Sequence, residues 1–267
     1  MNVSALLNAV SIGLFKVVVM MLQGKKILAL GIACLVLAAS AHASVTIGGT
    51  RVVYPLEQRE VTVRLDNDST LASLVQVWLD DGDVDAKPGD TKVPFLVTPP
   101  IFRMDAKRSQ MLRIMVNGGE ALPQDQESLY WLNVLDIPPK VSPSVETNTL
   151  QVAYRTRIKV FARPAKLMGR PEDAPSKLSW KVVPSPDGKG HAVSVSNPTP
   201  YHVSFSEIAV QSGGRSFKNE VGGMVKPHSI EVLPISNMSA VAVGAKVRYS
   251  AINDYGGAIV GDATLDQ

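Results

Sequence analysis

The sequence has 267 residues, with 27 basic and 24 acidic side chains, 45% apolar and 6% aromatic content, and one cysteine, Cys34. So even a balance of charge gives no footing for nucleic-acid binding, which needs a basic surface. A single cysteine excludes an intrachain disulfide, so hydrophobic cores must hold the fold.

Residues 21–43 read MLQGKKILALGIACLVLAASAHA. Lys25 and Lys26 form a positive head, Ile27 to Ala39 an apolar run, and Ala41-His42-Ala43 a small-x-small cleavage signal. This is the pattern of a secretory signal peptide cut after Ala43. The run of 13 residues is shorter than the ~20 that span a bilayer. Residues 1–20 are apolar but broken by Lys16, which fits a start placed too early, with Met20 or Met21 the real one; an uncleaved anchor is the alternative. Gly31 stands where a lipoprotein signal at Cys34 would have leucine. The expected mature chain begins at Ser44, contains no cysteine and inserts into no membrane. Without Lys16, Lys25 and Lys26 it carries 24 basic and 24 acidic residues.

The 224 residues from Ser44 onward suffice for two sandwiches of about 100 residues each. Short alternating runs recur at 60–65, 72–79, 111–116, 129–136, 178–183, 192–196 and 246–252. Turn signals separate them, among them Asp81-Gly82, Asn117-Gly118, Pro138-Pro139, Asp187-Gly188 and Gly213-Gly214. That spacing, with no long amphipathic helix, predicts an all-β chain. Pro164 cannot donate to a ladder and holds Arg163 extended. With the polar stretch 169–176 behind it, Pro164 marks the boundary between domains 44–163 and 164–267.

The run from Asn148 to Pro164, NTLQVAYRTRIKVFARP, has the clearest period of two. Leu150, Val152 and Tyr154 share one face, and about 14 residues from Leu150 are expected as one strand, against a usual ~5–6. Arg155, Arg157, Lys159 and Arg163 gather on it with no acid among them. By periodicity alone it equally suits a core strand with a solvated basic face. Asp81, Asp83 and Asp85 mimic a calcium loop, but Ala86 and Lys92 occupy the positions of its glycine and bidentate glutamate. No metal-ligand spacing, nucleophile elbow, phosphate loop or dinucleotide fingerprint is present, so neither an enzyme nor a cofactor is expected.

Several segments together resemble the periplasmic pilus chaperones of the chaperone–usher pathway. They are Thr50–Pro55, Val97–Arg103, Glu127–Asn133 with Ile137-Pro138-Pro139, Arg157-Ile158-Lys159, Phe161–Pro164, Asn197–Tyr201 and Ile252–Gly257. The resemblance implies two immunoglobulin-like β-sandwich domains at an angle around a cleft. It implies a periplasmic protein whose partners are pilin subunits and an outer-membrane usher. Leu150, Val152 and Tyr154 would complete a subunit's sandwich by donor-strand complementation, and Arg51 and Lys159 would hold its C-terminal carboxylate. Glu127, Arg163 and Asp254 would form an ionic link between the domains. The short connection from Pro138 to Thr147 resembles the short-loop subfamily that serves rod-like pili. Lys159 has the opposite parity to Leu150, so a regular strand would point it away from the apolar face. The alternative is a secreted two-domain adhesion or structural protein that keeps this strand paired internally.

Overall fold

The computed structural model describes residues 45–118, 122–140, 150–219 and 221–266. The signal peptide, Asn148, Thr149 and residues 141–147 of the short connection lie outside them.

Two hydrophobic cores are present, one built from residues between Tyr54 and Ala162 and the other from residues between Ala174 and Leu265. Around the first lie β1 (Val45–Ile47), β2 (Arg51–Pro55), β3 (Glu60–Asn67), β4 (Ser73–Asp80), β5 (Phe95–Thr98), β6 (Ile101–Met104), β7 (Ser109–Val116), β8 (Ser128–Ile137) and β9 (Tyr154–Arg163). They form two sheets, in the orders β1-β3-β7-β5 and β2-β9-β8-β4-β6. Val75, Val77 and Leu79 of β4, Leu112 and Ile114 of β7, and Leu132 and Val134 of β8 turn inward. This is the alternation that a pleated strand with one buried face produces. The chain enters by crossing between the sheets: β1 pairs antiparallel with β3, whereas β2 pairs parallel with β9.

Around the second core lie β10 (Ser179–Pro184), β11 (His191–Asn197), β12 (Val203–Ser212), β13 (Arg215–Asn219), β14 (Gly223–Val225), β15 (Ser229–Pro234), β16 (Lys246–Ile252) and β17 (Ala258–Thr264). The sheets run β10-β11-β15 and β13-β12-β16-β17, with β14 on β12. Trp180 fills the centre, its ring 5.5 Å from Phe205 and 5.7 Å from Tyr249. Aromatic pairs of this kind add ~0.5–1.5 kcal/mol beyond area burial. The stretch expected to be a plain polar link folds into a 3₁₀ turn, Pro171–Lys177, which buries Ala174 and Pro175. Proline suits its first position because no helical partner exists there for an N–H.

One expectation is corrected. The strand begins at Tyr154, not Leu150, and is 10 residues long. Tyr154 pairs with Asp136 on β8, so Val152 and Gln151 fall opposite Pro138 and Pro139. Proline has no N–H to donate, and the ladder stops. The segment still runs beside the prolines, because the Gln151 side chain donates to the Pro138 carbonyl at 2.7 Å.

Candidate functional site

Leu150, Val152 and Tyr154 are 90%, 43% and 64% exposed. Burying a side chain of this size is worth ~1.5–3 kcal/mol, and the free fold leaves that stabilisation unused three times within five residues. Further along β9 the same parity turns inward, with Ile158, Val160 and Ala162 in the core. One face of a single run therefore projects apolar groups into solvent at its start and fills its own sandwich at its end.

The backbone changes character at the same place. β8 covers one edge of β9 from Tyr154 to Ala162, but β2 covers the other edge only from Lys159 to Arg163. From Tyr154 to Ile158 that edge has no partner strand among the described residues. An exposed strand edge is a template for pairing with another chain.

Arg51 and Lys159 stand where the open edge meets β2, as partners in the parallel register. Arg51 Nη1 donates to the Ile252 carbonyl at 2.9 Å, and its Nε is buried without a partner. Lys159 Nζ donates to Ser204 Oγ at 2.9 Å and lies 5.6 Å from the Trp131 ring. Among the described residues neither cation has a carboxylate in salt-bridge range. Burial, and then the charge of Arg51, pull the Lys159 ammonium down to a pKa of about 8. Burial also lowers Arg51, partly offset by Asp254 and Glu127. Two desolvated cations with spare donors have the chemistry for charge-assisted bonds to an anion such as a carboxylate. Lys159 lies on the outer face, in register with Trp131, and not on the face of Leu150, Val152 and Tyr154.

Glu127, Arg163 and Asp254 come together. Arg163 Nε donates to Glu127 Oε1 at 2.6 Å, and its two Nη atoms donate to both oxygens of Asp254 at 2.6 and 2.8 Å. Burial works against the Arg163 charge, but the bonds and charges of Asp254 and Glu127 outweigh it and hold its pKa above the ordinary value. Asn253 shapes the turn that presents Asp254, accepting from the Tyr255 and Gly257 amides at 3.0 and 2.8 Å. Gly256 in that turn has φ of 84°, and a Cβ there would meet Thr50 Oγ1 at 2.7 Å. Backbone conformation and close approach both call for glycine.

His202 belongs to the same cluster and had no signal in the sequence. Its backbone amide donates to Glu127 Oε2 at 2.8 Å, and its Nδ1 lies 3.2 Å from that oxygen. Also missed was Asp80, fully buried on the outer face of the sheet with Trp131 beside it. The expected turn at Asp81, Asp83 and Asp85 is exposed. Among the described residues no group of His, Cys, Asp and Glu could hold a metal ion.

Comparison with known proteins places this geometry in a class. Residues 44–168 match the family model described as pili and flagellar-assembly chaperone, PapD N-terminal domain, and residues 173–263 match pili assembly chaperone PapD, C-terminal domain. The chain belongs to the PapD-like pilus-assembly chaperone family. It is 44% identical over 236 residues to YadV of Escherichia coli K12, covering 88% of this chain and 95% of that one. The chaperone protein HifB of Haemophilus influenzae is 44% identical over 231 residues, 85% of this chain and 90% of HifB. The crystal structure of the YadV chaperone matches with a TM-score of 0.72 at 43% identity, covering 84% of this chain and all of that one. The SafB chaperone, solved in complex with the Salmonella enterica SafA pilin, matches with a TM-score of 0.68 at 30% identity, over 85% of this chain and 99% of that one.

Proposed function

We propose that this chain is a periplasmic chaperone that captures pilin subunits by donor-strand complementation and hands them to an outer-membrane usher. The observation that carries the reading is the coincidence, on one strand, of three exposed apolar side chains, an open edge and two uncompensated cations. Leu150, Val152 and Tyr154 fill the groove of a subunit that lacks its last strand, while the open edge of β9 supplies main-chain hydrogen bonds. Arg51 and Lys159 hold the subunit's terminal carboxylate. With that carboxylate at the start of β2, the subunit strand runs along the open edge parallel to β9 and in line with β2. Glu127, Arg163 and Asp254 hold the two domains in the orientation that keeps the anion site formed. Family membership supports delivery to the usher, and it disfavours the adhesion or structural alternative. The mature protein starts at Ser44, with domains 44–163 and 164–267 and no cofactor.

The test is to dilute a denatured pilin subunit from the same fimbrial gene cluster into buffer with this protein. A soluble equimolar complex on size-exclusion chromatography is expected with the wild type, and aggregated pilin with Lys159→Ala. Equal yields from both proteins would overturn the carboxylate site. No complex with any subunit of the cluster would overturn the function.

A further inference from the structure

The outer face of the β2-β9-β8-β4 sheet carries a second charged array next to the carboxylate site. Lys159 is in register with Trp131 on β8, and Trp131 is in register with Asp80 on β4. All three side chains therefore stand in one row on one face, with strands about 4.8 Å apart. Asp80 is fully buried and is the one carboxylate in the row. Left alone it would be the natural internal partner for the lysine two strands away, within reach of that long flexible side chain.

Asp80 is otherwise occupied. Arg157 donates to it from Nη2 and, at 3.1 Å, from Nε, while Asn133 Nδ2 donates at 2.6 Å and the Gly82 amide at 2.8 Å. The Arg157 guanidinium lies 4.2 Å from the Trp131 ring centroid, so it covers the indole between Lys159 and Asp80. Burial favours the neutral acid, but these bonds outweigh it and hold the Asp80 pKa below the ordinary value. Arg155 is the weaker partner of Asp80: its guanidinium is bound to Asn133 Oδ1 at 2.9 and 2.7 Å and to the Val84 carbonyl, and its ion pair with Asp80 spans 3.9 Å.

We propose that Arg157 is a positioning residue for subunit capture, which engages Asp80 so that Lys159 stays directed at the cleft and free for the incoming carboxylate. The inference rests on the carboxylate-anchoring reading of Arg51 and Lys159. Without Arg157, Lys159 folds back across Trp131 onto Asp80, and the anion site loses one of its two cations to an internal ion pair. The charge on this face is thus sorted: Asp80 is held closely by Arg157, with Arg155 at 3.9 Å, and Arg51 and Lys159 are left unmatched for the ligand.

The experiment compares pilin capture by the full mature protein and its Lys159→Ala, Arg157→Ala, Arg157→Lys and Asp80→Asn/Arg157→Ala variants, with the Lys159 ammonium titrated by NMR in each folded sample. Arg157→Ala is expected to weaken capture about tenfold, the scale of one charge-assisted contact withheld, and to raise the Lys159 pKa. Arg157→Lys keeps a cation on Asp80 and should retain most capture. The double variant removes the competing carboxylate and should recover capture, with the Lys159 pKa back near the wild-type value. A double variant as poor as Arg157→Ala would mean that Arg157 touches the subunit itself, and the inference would fall. Unchanged capture and unchanged Lys159 titration in Arg157→Ala would also overturn it, whereas unimpaired capture by Lys159→Ala would overturn the anchoring reading beneath it. If Arg157→Ala does not fold, Arg157→Gln takes its place: it keeps side-chain bulk over Trp131 but brings no cation to Asp80, and a Lys159 that titrates there as in the wild type refutes the coupling.

Discussion

Arg51 and Lys159 are register partners across the parallel pairing of β2 with β9, and neither has a carboxylate within salt-bridge range among the described residues. Like charges side by side and half-buried are a cost to the free protein. They make sense as half of an interaction that a ligand's anion completes. Replacing either by alanine should therefore leave the free chaperone as stable as the wild type or slightly more so, while capture falls by ~2–5 kcal/mol. Thermal unfolding beside pilin yield measures both. A loss of stability with capture intact would show that these cations serve the fold instead.

A second expectation concerns pH. The folded Lys159 pKa of about 8 lies below its ordinary value of 10.5, so between these values the unfolded chain binds the proton and the folded one does not. The lysine's contribution to stability therefore rises with pH through that window. Capture runs the other way, because the ammonium that meets the carboxylate is lost as pH climbs through about 8. Comparing wild type with Lys159→Met from pH 7 to 10 should isolate both slopes. Parallel slopes in the two proteins would refute the assignment.

Third, the proposed structural role of the link between Arg163, Glu127 and Asp254 predicts a cost in stability when it is broken. Arg163→Ala leaves Glu127, whose side chain is 1% exposed, without its cation, and should cost ~3–5 kcal/mol in urea denaturation. Asp254→Ala removes a carboxylate that is still partly hydrated and should cost less. If the two losses were equal and below ~1 kcal/mol, the typical worth of a surface pair, the link would have no orienting role.

Truncating Leu150, Val152 or Tyr154 to alanine should leave the free protein's melting temperature unchanged, because all three face solvent. The complex should lose up to ~1.5–3 kcal/mol for each side chain withdrawn from the groove. Val152→Glu should be worse than alanine, since it buries an unpaired carboxylate. A core residue would behave oppositely, costing the free protein ~2–5 kcal/mol.

Much of this was legible in the residues. The alternation of Val75, Val77 and Leu79 and the strand at 246–252 follow from period and punctuation, which are local properties. Arg163 with Glu127 and Asp254 was reached only through resemblance, since no local rule brings together residues 91 apart in sequence. The late start of β9 depends on which strand lies opposite: Pro138 and Pro139 silence the ladder at Val152, and register is not written in either segment alone. His202 was unreadable for a similar reason, as it acts largely through its backbone amide. Nothing local marks Asp80, and only the pairing of β4 with β8 and of β8 with β9 puts it under Arg157.

The central claim, that β9 receives a subunit strand along its open edge, is tested most directly by amide hydrogen exchange at residues 150–158, free and in complex with a pilin. The account predicts fast exchange from Leu150 to Ala153 and at the outward amides of Tyr154–Ile158 in the free protein, and strong protection of both on binding. It predicts no comparable change for the residues of β9 that β2 already covers. Unchanged exchange across 150–158 in a stable complex would contradict it, because the subunit would then be held by some other surface.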